Sequence, residues 1–108
     1  MKFRIREATE FLYVHVQDTG GLSVQELQRE ARRKGLLGFG YHYVIQQDGT
    51  VEHGRKPYEV AGHDFENPNV SVYVLVDSET GELTDAQKVS LRDLISSLQG
   101  EYQRIKVM

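Results

Sequence analysis

The hairpin-forming part of this chain is residues 40–53, which read GYHYVIQQDGTVEH. Two β-favouring runs, Tyr41–Gln47 and Thr50–His53, lie on either side of the pair Asp48-Gly49. An Asp-Gly pair between two such runs is typical of a tight β-hairpin, because both residues tolerate the backbone angles of the turn. The stretch therefore predicts two neighbouring antiparallel strands.

Further strands are predicted on both sides of this hairpin. Phe11–Val16 and Val70–Val76 are continuous apolar runs, as expected for strands that are buried on both faces. A weaker edge strand is expected at Phe3–Arg6 and a last short strand at Arg104–Met108. The segment from Gly54 to Pro68 between them is predicted to be mostly loop.

Two capping boxes mark the starts of two helices, Ser23 with Glu26 and Thr84 with Gln87. The first helix is expected to end near Gly35, which suits a left-handed C-cap. The first helix carries Val24, Leu27 and Ala31 on one face. The apolar residues of the second helix are Val89, Leu91, Leu94, Ile95, Leu98 and Tyr102. The order β-β-α-β-β-β-α-β predicts one α/β domain over residues 1–108, with a mixed central sheet flanked by helices.

Composition excludes several classes of protein. The chain has 108 residues with 39% hydrophobic and 27% charged residues, which suits one soluble domain. It has no cysteine, so neither a disulfide nor a thiolate zinc ligand is expected. The net charge of −3 argues against general nucleic-acid binding. We find no membrane-spanning run and no secretory signal, and therefore expect a cytoplasmic protein, in the host cytoplasm if it is encoded by a phage.

The four histidines are weak indicators of function when they are taken alone. Zinc hydrolases use three protein ligands that are often far apart in sequence, so scattered histidines neither establish nor exclude a metal site. Their surroundings are more informative. Five short motifs occur in a fixed order, followed by an apolar strand and a capped helix: Val14-His15, Gly40–Ile45, Asp48–Glu52, Gly54-Arg55 and Ala61-Gly62-His63.

This ordered series resembles the type-2 N-acetylmuramoyl-L-alanine amidases, above all the phage lysozyme-amidases, which share their fold with peptidoglycan recognition proteins. The resemblance covers nearly the whole chain and implies a zinc-dependent amidase fold. It implies that His15 is the first zinc ligand and that Tyr41 is the catalytic tyrosine near the attacked carbonyl. It also places His63 in the substrate-groove loop, and we include Arg55 in the predicted binding cleft.

The resemblance implies two more zinc ligands and a catalytic residue after the last strand, and these have no counterpart before Met108. With His15 as a single family ligand, the chain resembles a C-terminally shortened amidase with an incomplete metal site. We therefore expect no cofactor, and zinc only if other residues complete the site. His42 is a poor substitute ligand, because its side chain should point away from that of its neighbour Tyr41.

The leading hypothesis is a catalytically inactive phage amidase homologue that acts by binding. Its partner would be a host or phage protein, or a small ligand such as a nucleotide, with inhibition, sequestration or counter-defence as the role. One alternative is an active N-acetylmuramoyl-L-alanine amidase whose metal site is completed in trans or by a missing segment. Another is recognition of peptidoglycan fragments without catalysis.

Four surface features carry further hypotheses. The basic cluster Arg29, Arg32, Arg33 and Lys34 is either a solvated helix end or a docking patch for an acidic partner or a phosphate-bearing ligand. Leu36, Leu37 and Phe39 either pack under a loop or form an exposed apolar patch. Arg55 and His63 are interpreted as loop surface that can face a bound anion. The sheet edge near Val107 suggests a homodimer formed by strand pairing.

Overall fold

The computed structural model describes residues 4–6, 8–35, 39–62 and 65–108. These residues form five strands and two helices, in the order β1 (Phe11–Gln17), α1 (Val24–Arg33), β2 (Tyr43–Ile45), β3 (Val51–His53), β4 (Ser71–Asp77), α2 (Asp85–Glu101) and β5 (Lys106–Val107). None of the helices in the described ranges is long and apolar enough to cross a bilayer.

The five strands form one mixed sheet in the order β3-β2-β4-β1-β5. Strand β4 lies in the middle and pairs in parallel with β1 on one side and β2 on the other, whereas β3 is antiparallel to β2. All seven residues of β4 are buried, which explains its continuous apolar run. The predicted mixed sheet flanked by helices is confirmed.

The two helices cover opposite faces of the sheet. The connection from β1 through α1 to β2 and the connection from β4 through α2 to β5 run in opposite directions across the sheet. Since such crossovers are right-handed, the helices must lie on different faces. Leu98 of α2 packs in one core cluster with Val72 and Val74, while Val24 of α1 packs in another with Tyr73 and Leu75.

Both helix starts follow the predicted capping boxes. The Ser23 hydroxyl accepts a hydrogen bond from the backbone N–H of Glu26, and the Thr84 hydroxyl accepts one from that of Gln87. Gly35 has φ +84°, the left-handed conformation expected after the first helix. Among the apolar residues of α2, Leu98 is buried whereas Val89 is 48% exposed.

Several predicted strand boundaries are also wrong. In place of a strand at Phe3–Arg6, Ile5 makes a single antiparallel bridge with Glu59, and Phe3 lies outside the described residues. Strand β2 begins at Tyr43 rather than Tyr41 because the chain changes face between them. Tyr43 packs in the α2-side core and Tyr41 in the opposite core, although alternate residues of a regular strand share a face.

The sheet ends at two short edge strands. β5 spans only Lys106–Val107 and pairs in parallel with the start of β1. The adjacent Ile105 is buried, whereas Val107 is 42% exposed. Dimerisation through this edge stays a prediction.

Candidate functional site

Six aromatic or imidazole rings from different parts of the chain meet on the sheet face that α2 does not cover. We call this set the aromatic face, and it consists of Tyr13, His15, Phe39, Tyr41, Phe65 and Tyr73. Tyr13 and His15 are two residues apart on β1, so both side chains project from the same side of the sheet. Tyr13 stacks on Tyr73 of the neighbouring strand, with ring centroids 4.9 Å apart and planes 10° apart.

His15 and Tyr41 are brought together at the centre of this face. The Nδ1 atom of His15 and the hydroxyl of Tyr41 are 2.7 Å apart, which is a short hydrogen bond. The His15 ring also lies edge-on to Tyr41, Phe65 and Tyr73, with centroid separations of 5.6, 5.9 and 5.4 Å. His15 is half-buried and Tyr41 is buried, so the pair is held in place while the imidazole keeps contact with solvent.

The hydroxyls of two tyrosines hold the segment 65–67 against the aromatic face by hydrogen bonds. The Tyr73 hydroxyl donates to the carbonyl of Glu66, and the Asn67 side-chain amide donates to the Tyr13 hydroxyl at 2.9 Å. Burial raises the pKa of Tyr73, so its phenol stays protonated at neutral pH. Sequence reasoning did not identify Tyr13, Phe65 or Tyr73 as part of the site. The two-residue spacing of Tyr13 and His15 along β1 was the sequence signal that could have placed Tyr13 on the same face as His15.

Glycines bring the backbone close to Tyr41. A Cβ atom on Gly54 would overlap the carbonyl oxygen of Tyr41, and one on Gly40 would lie 2.8 Å from the Cα of Gly62. The Tyr41 carbonyl also accepts a hydrogen bond from the N–H of Arg55 at 2.9 Å. The family-like motifs Gly40-Tyr41 and Gly54-Arg55 therefore serve one purpose, which is to fix the tyrosine beside β1.

His42 belongs to different surroundings from its neighbour Tyr41. It is fully buried, its Nδ1 accepts a hydrogen bond from the backbone N–H of Tyr73, and its Nε2 lies 2.7 Å from the carbonyl of Glu59. This arrangement requires the neutral tautomer with its proton on Nε2. Desolvation, with a smaller effect from nearby Arg6 and Arg55, lowers the pKa of His42 to about 4. Because both ring nitrogens are engaged, His42 is not available as a metal ligand.

Arg55 does not lie on the loop surface, and that interpretation is wrong. Its side chain is only 9% exposed, and its guanidinium donates to the carbonyl of Val60 at 2.7 Å. The bond braces the loop beside the aromatic face. His63 lies outside the described residues, so its predicted place in the cleft stays a prediction.

The described residues do not fit a zinc ion. Residues 4–6, 8–35, 39–62 and 65–108 contain no group of three or more histidine, aspartate or glutamate side chains placed to hold a metal. The Nδ1 atom of His15, the residue that the resemblance implies as a zinc ligand, is hydrogen-bonded to Tyr41. A catalytic zinc needs three protein ligands.

The basic cluster lies apart from the aromatic face, at the C-terminal end of α1. Its members are all exposed: Arg29, Arg32, Arg33 and Lys34. Arg32 and Arg33 occupy the last turn, where positive charge complements the helix dipole. Phe39 packs against Tyr41, with ring centroids 5.1 Å apart, so it is not an exposed apolar side chain. Leu36 and Leu37 lie outside the described residues.

Comparison with known proteins identifies the family. No protein-family model matches the chain. The endolysin of Escherichia phage T7 is 31% identical over 113 aligned positions, which cover 95% of this chain and 75% of the endolysin. The chain belongs to the N-acetylmuramoyl-L-alanine amidase and peptidoglycan recognition protein family.

Solved structures of this family show the same fold. The N-acetylmuramoyl-L-alanine amidase LysC from Clostridium intestinale superposes with a TM-score of 0.86 at 22% identity, over 99% of this chain and 74% of LysC. The peptidoglycan recognition protein PGRP-Hd from Alvinella pompejana superposes with a TM-score of 0.84 at 18% identity, over 99% of this chain and 77% of PGRP-Hd. This family member is therefore an amidase-like, peptidoglycan-related protein.

Proposed function

We propose that this amidase-family protein acts by binding a peptidoglycan fragment on its aromatic face, without hydrolysing it. The observation that carries the proposal is that the hydrogen-bonded pair His15 and Tyr41 lies at the centre of that face without a described group of metal ligands around it. The same residues correspond to a zinc ligand and a catalytic tyrosine in the amidases that the chain resembles. Here the described residues contribute His15 but no group of three side chains that could hold a metal.

The chemistry of the aromatic face suits a sugar-peptide ligand. Aromatic rings offer flat apolar surfaces with little conformational freedom to lose, and the His15 imidazole adds a polar group that can donate or accept a hydrogen bond. Half-exposed rings such as Tyr13 and Phe65 lie next to this polar group. The relatives named endolysin and amidase support a fragment of peptidoglycan as the first ligand to test.

Calorimetric titration with N-acetylmuramoyl-L-alanyl-D-isoglutamine tests the binding. Tyr41→Phe removes the hydroxyl that orients His15 and is expected to weaken binding about ten-fold, the effect of losing one well-placed hydrogen bond. Tyr58→Phe is the matched control, because Tyr58 is 47% exposed and is not part of the aromatic face. Equal affinities for the wild type and Tyr41→Phe, or no binding by the wild type, would contradict the proposal.

Hydrolysis is the second candidate function, and the His15–Tyr41 pairing favours it because both residues match the amidase pattern. The same muropeptide contains the amide bond that such an enzyme cleaves. Plasma mass spectrometry of metal-replete, desalted protein measures bound zinc, and chromatography of the incubated muropeptide measures cleavage. Stoichiometric zinc that is lost in His15→Ala, together with release of the dipeptide, would replace the binding proposal with hydrolysis. We expect an intact muropeptide.

Protein partners and signalling nucleotides are alternative ligands for a binding protein of this fold. They become the leading candidates if the muropeptide neither binds nor is cleaved. Inhibition or sequestration would then be tested with the partner that is found.

A further inference from the structure

A recess lies away from the aromatic face, at the carboxyl ends of β2 and β4. Its volume is about 580 Å³, and five carboxylates line it: Glu26, Asp48, Glu52, Asp77 and Glu79. None of the described residues that line it is basic. We call it the acidic recess.

The recess occupies a position where α/β sheets commonly bind ligands. Strands β1 and β4 are parallel neighbours, and the chain leaves their carboxyl ends towards helices on opposite faces. In α/β sheets, ligands commonly bind beyond the carboxyl ends of the strands, near such a switch point. Asp77 ends β4, and Gly20 and Gly21 of the β1–α1 loop form the wall beside it.

Asp77 lines this recess and carries a buried oxygen without a hydrogen-bond partner among the described residues. Its side chain is 1% exposed, and its Oδ1 accepts a hydrogen bond from the backbone N–H of Thr19 at 2.9 Å. Its Oδ2 is buried and has no hydrogen-bond partner among the described residues. A buried carboxylate oxygen without a donor is unfavourable, so a ligand that donates to it would relieve the penalty.

Three of the other four carboxylates are held in place by hydrogen bonds. Glu26 accepts from Ser23, and Glu52 accepts from the Gln46 side-chain amide at 2.6 Å. Asp48 accepts from the N–H of Thr50 at 2.9 Å. These bonds lower the pKa values of Glu26 and Asp48, so both are ionised at neutral pH. Within the described part of the chain, no salt bridge to any of the five neutralises this charge.

We propose that the acidic recess binds an organic cation, a ligand that carries a primary ammonium or guanidinium group. Such a group is a charged donor with several N–H bonds, which matches an orphaned carboxylate oxygen among further carboxylates. A single metal ion fits less well, because none of the described residues form a group of three carboxylate or histidine ligands. The volume of about 580 Å³ also suits a polyatomic ligand.

The ammonium or guanidinium group can come from two chemical sources. One is a free amine, and the other is a lysine or arginine side chain of a protein. Calorimetric titrations at low ionic strength with spermidine, with a blocked tri-arginine peptide and with calcium chloride separate them. Tighter binding of spermidine indicates a free amine, and tighter binding of the peptide indicates a protein side chain. Either result supports the proposal, and added salt should weaken the binding.

Asp77→Asn is the decisive variant, because it keeps the Oδ1 acceptor for Thr19 and replaces Oδ2 with an amide group that cannot accept. It is expected to weaken cation binding about ten-fold or more. Asp93→Asn, on the exposed outer side of α2, is the matched control and should change the affinity less than about two-fold. Circular dichroism checks that both variants are folded.

Three results would overturn the proposal. They are no binding of either organic probe by the wild type, equal binding by Asp77→Asn and the wild type, and binding of calcium alone. The aromatic face and its muropeptide play no part in these titrations, so the two proposals succeed or fail separately.

Discussion

At the residue scale, His42 is a fully buried titratable group with hydrogen bonds at both ring nitrogens. Its Nδ1 accepts from the N–H of Tyr73 and its Nε2 donates to the carbonyl of Glu59, so one ring joins β4 to the loop that precedes Ala61. Arg6 donates to the same Glu59 carbonyl at 3.0 Å. Protonation of His42 would remove the acceptor for Tyr73 and bury a positive charge beside Arg6, and both effects favour the neutral ring.

The buried ring predicts a pH dependence of stability. The pKa of His42 falls from 6.5 to about 4 in the folded chain, so the unfolded chain binds a proton first as the pH falls. The contribution of neutral His42 is complete above the unfolded pKa and is lost as the pH falls from about 6.5 towards 4, by roughly 3 kcal/mol at most. Urea unfolding at pH 7, 5.5 and 4.5 measures this loss.

The variant His42→Gln isolates this contribution from that of the carboxylates. The difference in the free energy of unfolding between the wild type and His42→Gln should shrink as the pH falls through this range. Curves that run parallel between pH 6.5 and 4 would contradict the assignment.

At the scale of elements, Gln87 joins helix α2 to the ends of two strands. It is fully buried, and its side-chain amide donates to the carbonyls of Ile45 at 3.2 Å and Asp77 at 2.6 Å. Its Oε1 accepts from the N–H of Thr84 and so completes the capping box. Gln87, the third residue of the helix and part of its capping box, thus also holds α2 against the sheet.

Gln87→Glu is therefore predicted to be strongly destabilising, although glutamate suits a capping box. The carboxylate can keep the bond to Thr84 but offers no N–H to the two carbonyls, and its charge is buried. A loss of about 3–5 kcal/mol in the free energy of unfolding is expected. Glu26→Gln, in the exposed box of α1, is the matched control and should leave the urea midpoint nearly unchanged. Similar midpoints for both variants would refute the special role of Gln87.

At the scale of the whole molecule, stability should decrease from the middle of the sheet to its edges. Strand β4 is buried along its full length between β1 and β2, whereas β5 makes only two pairings with β1. Hydrogen exchange measured by NMR should show that amides of Val72–Val76 exchange only by global unfolding. Amides of Lys106 and Met108, which donate to Glu10 and Leu12, should exchange faster through local opening. Equal protection at the two places would contradict this gradient.

Local patterns in the sequence were sufficient for most of the elements. The capping boxes at Ser23 and Thr84 and the hairpin around Asp48-Gly49 depend on residues within a few positions of one another, and all three are present. The turn itself differs from the prediction, because it is closed by a hydrogen bond between Gln46 and Gly49 and of the Asp48-Gly49 pair only Gly49 has a positive φ. The family resemblance, which depends on motif order, is confirmed as well. Strand limits were less predictable, since the change of face at Tyr41–Tyr43 depends on packing rather than on strand propensity.

The sequence by itself thus determined the fold class, the family and the candidate pair His15 and Tyr41. Only the tertiary structure decided the surroundings of that pair, the burial of Arg55 and the orphaned oxygen of Asp77. The physical reason is the distance along the chain between the partners. Asn67 lies 54 residues from Tyr13, and Asp77 lies 58 residues from Thr19, so their hydrogen bonds exist only after the sheet has brought distant segments together.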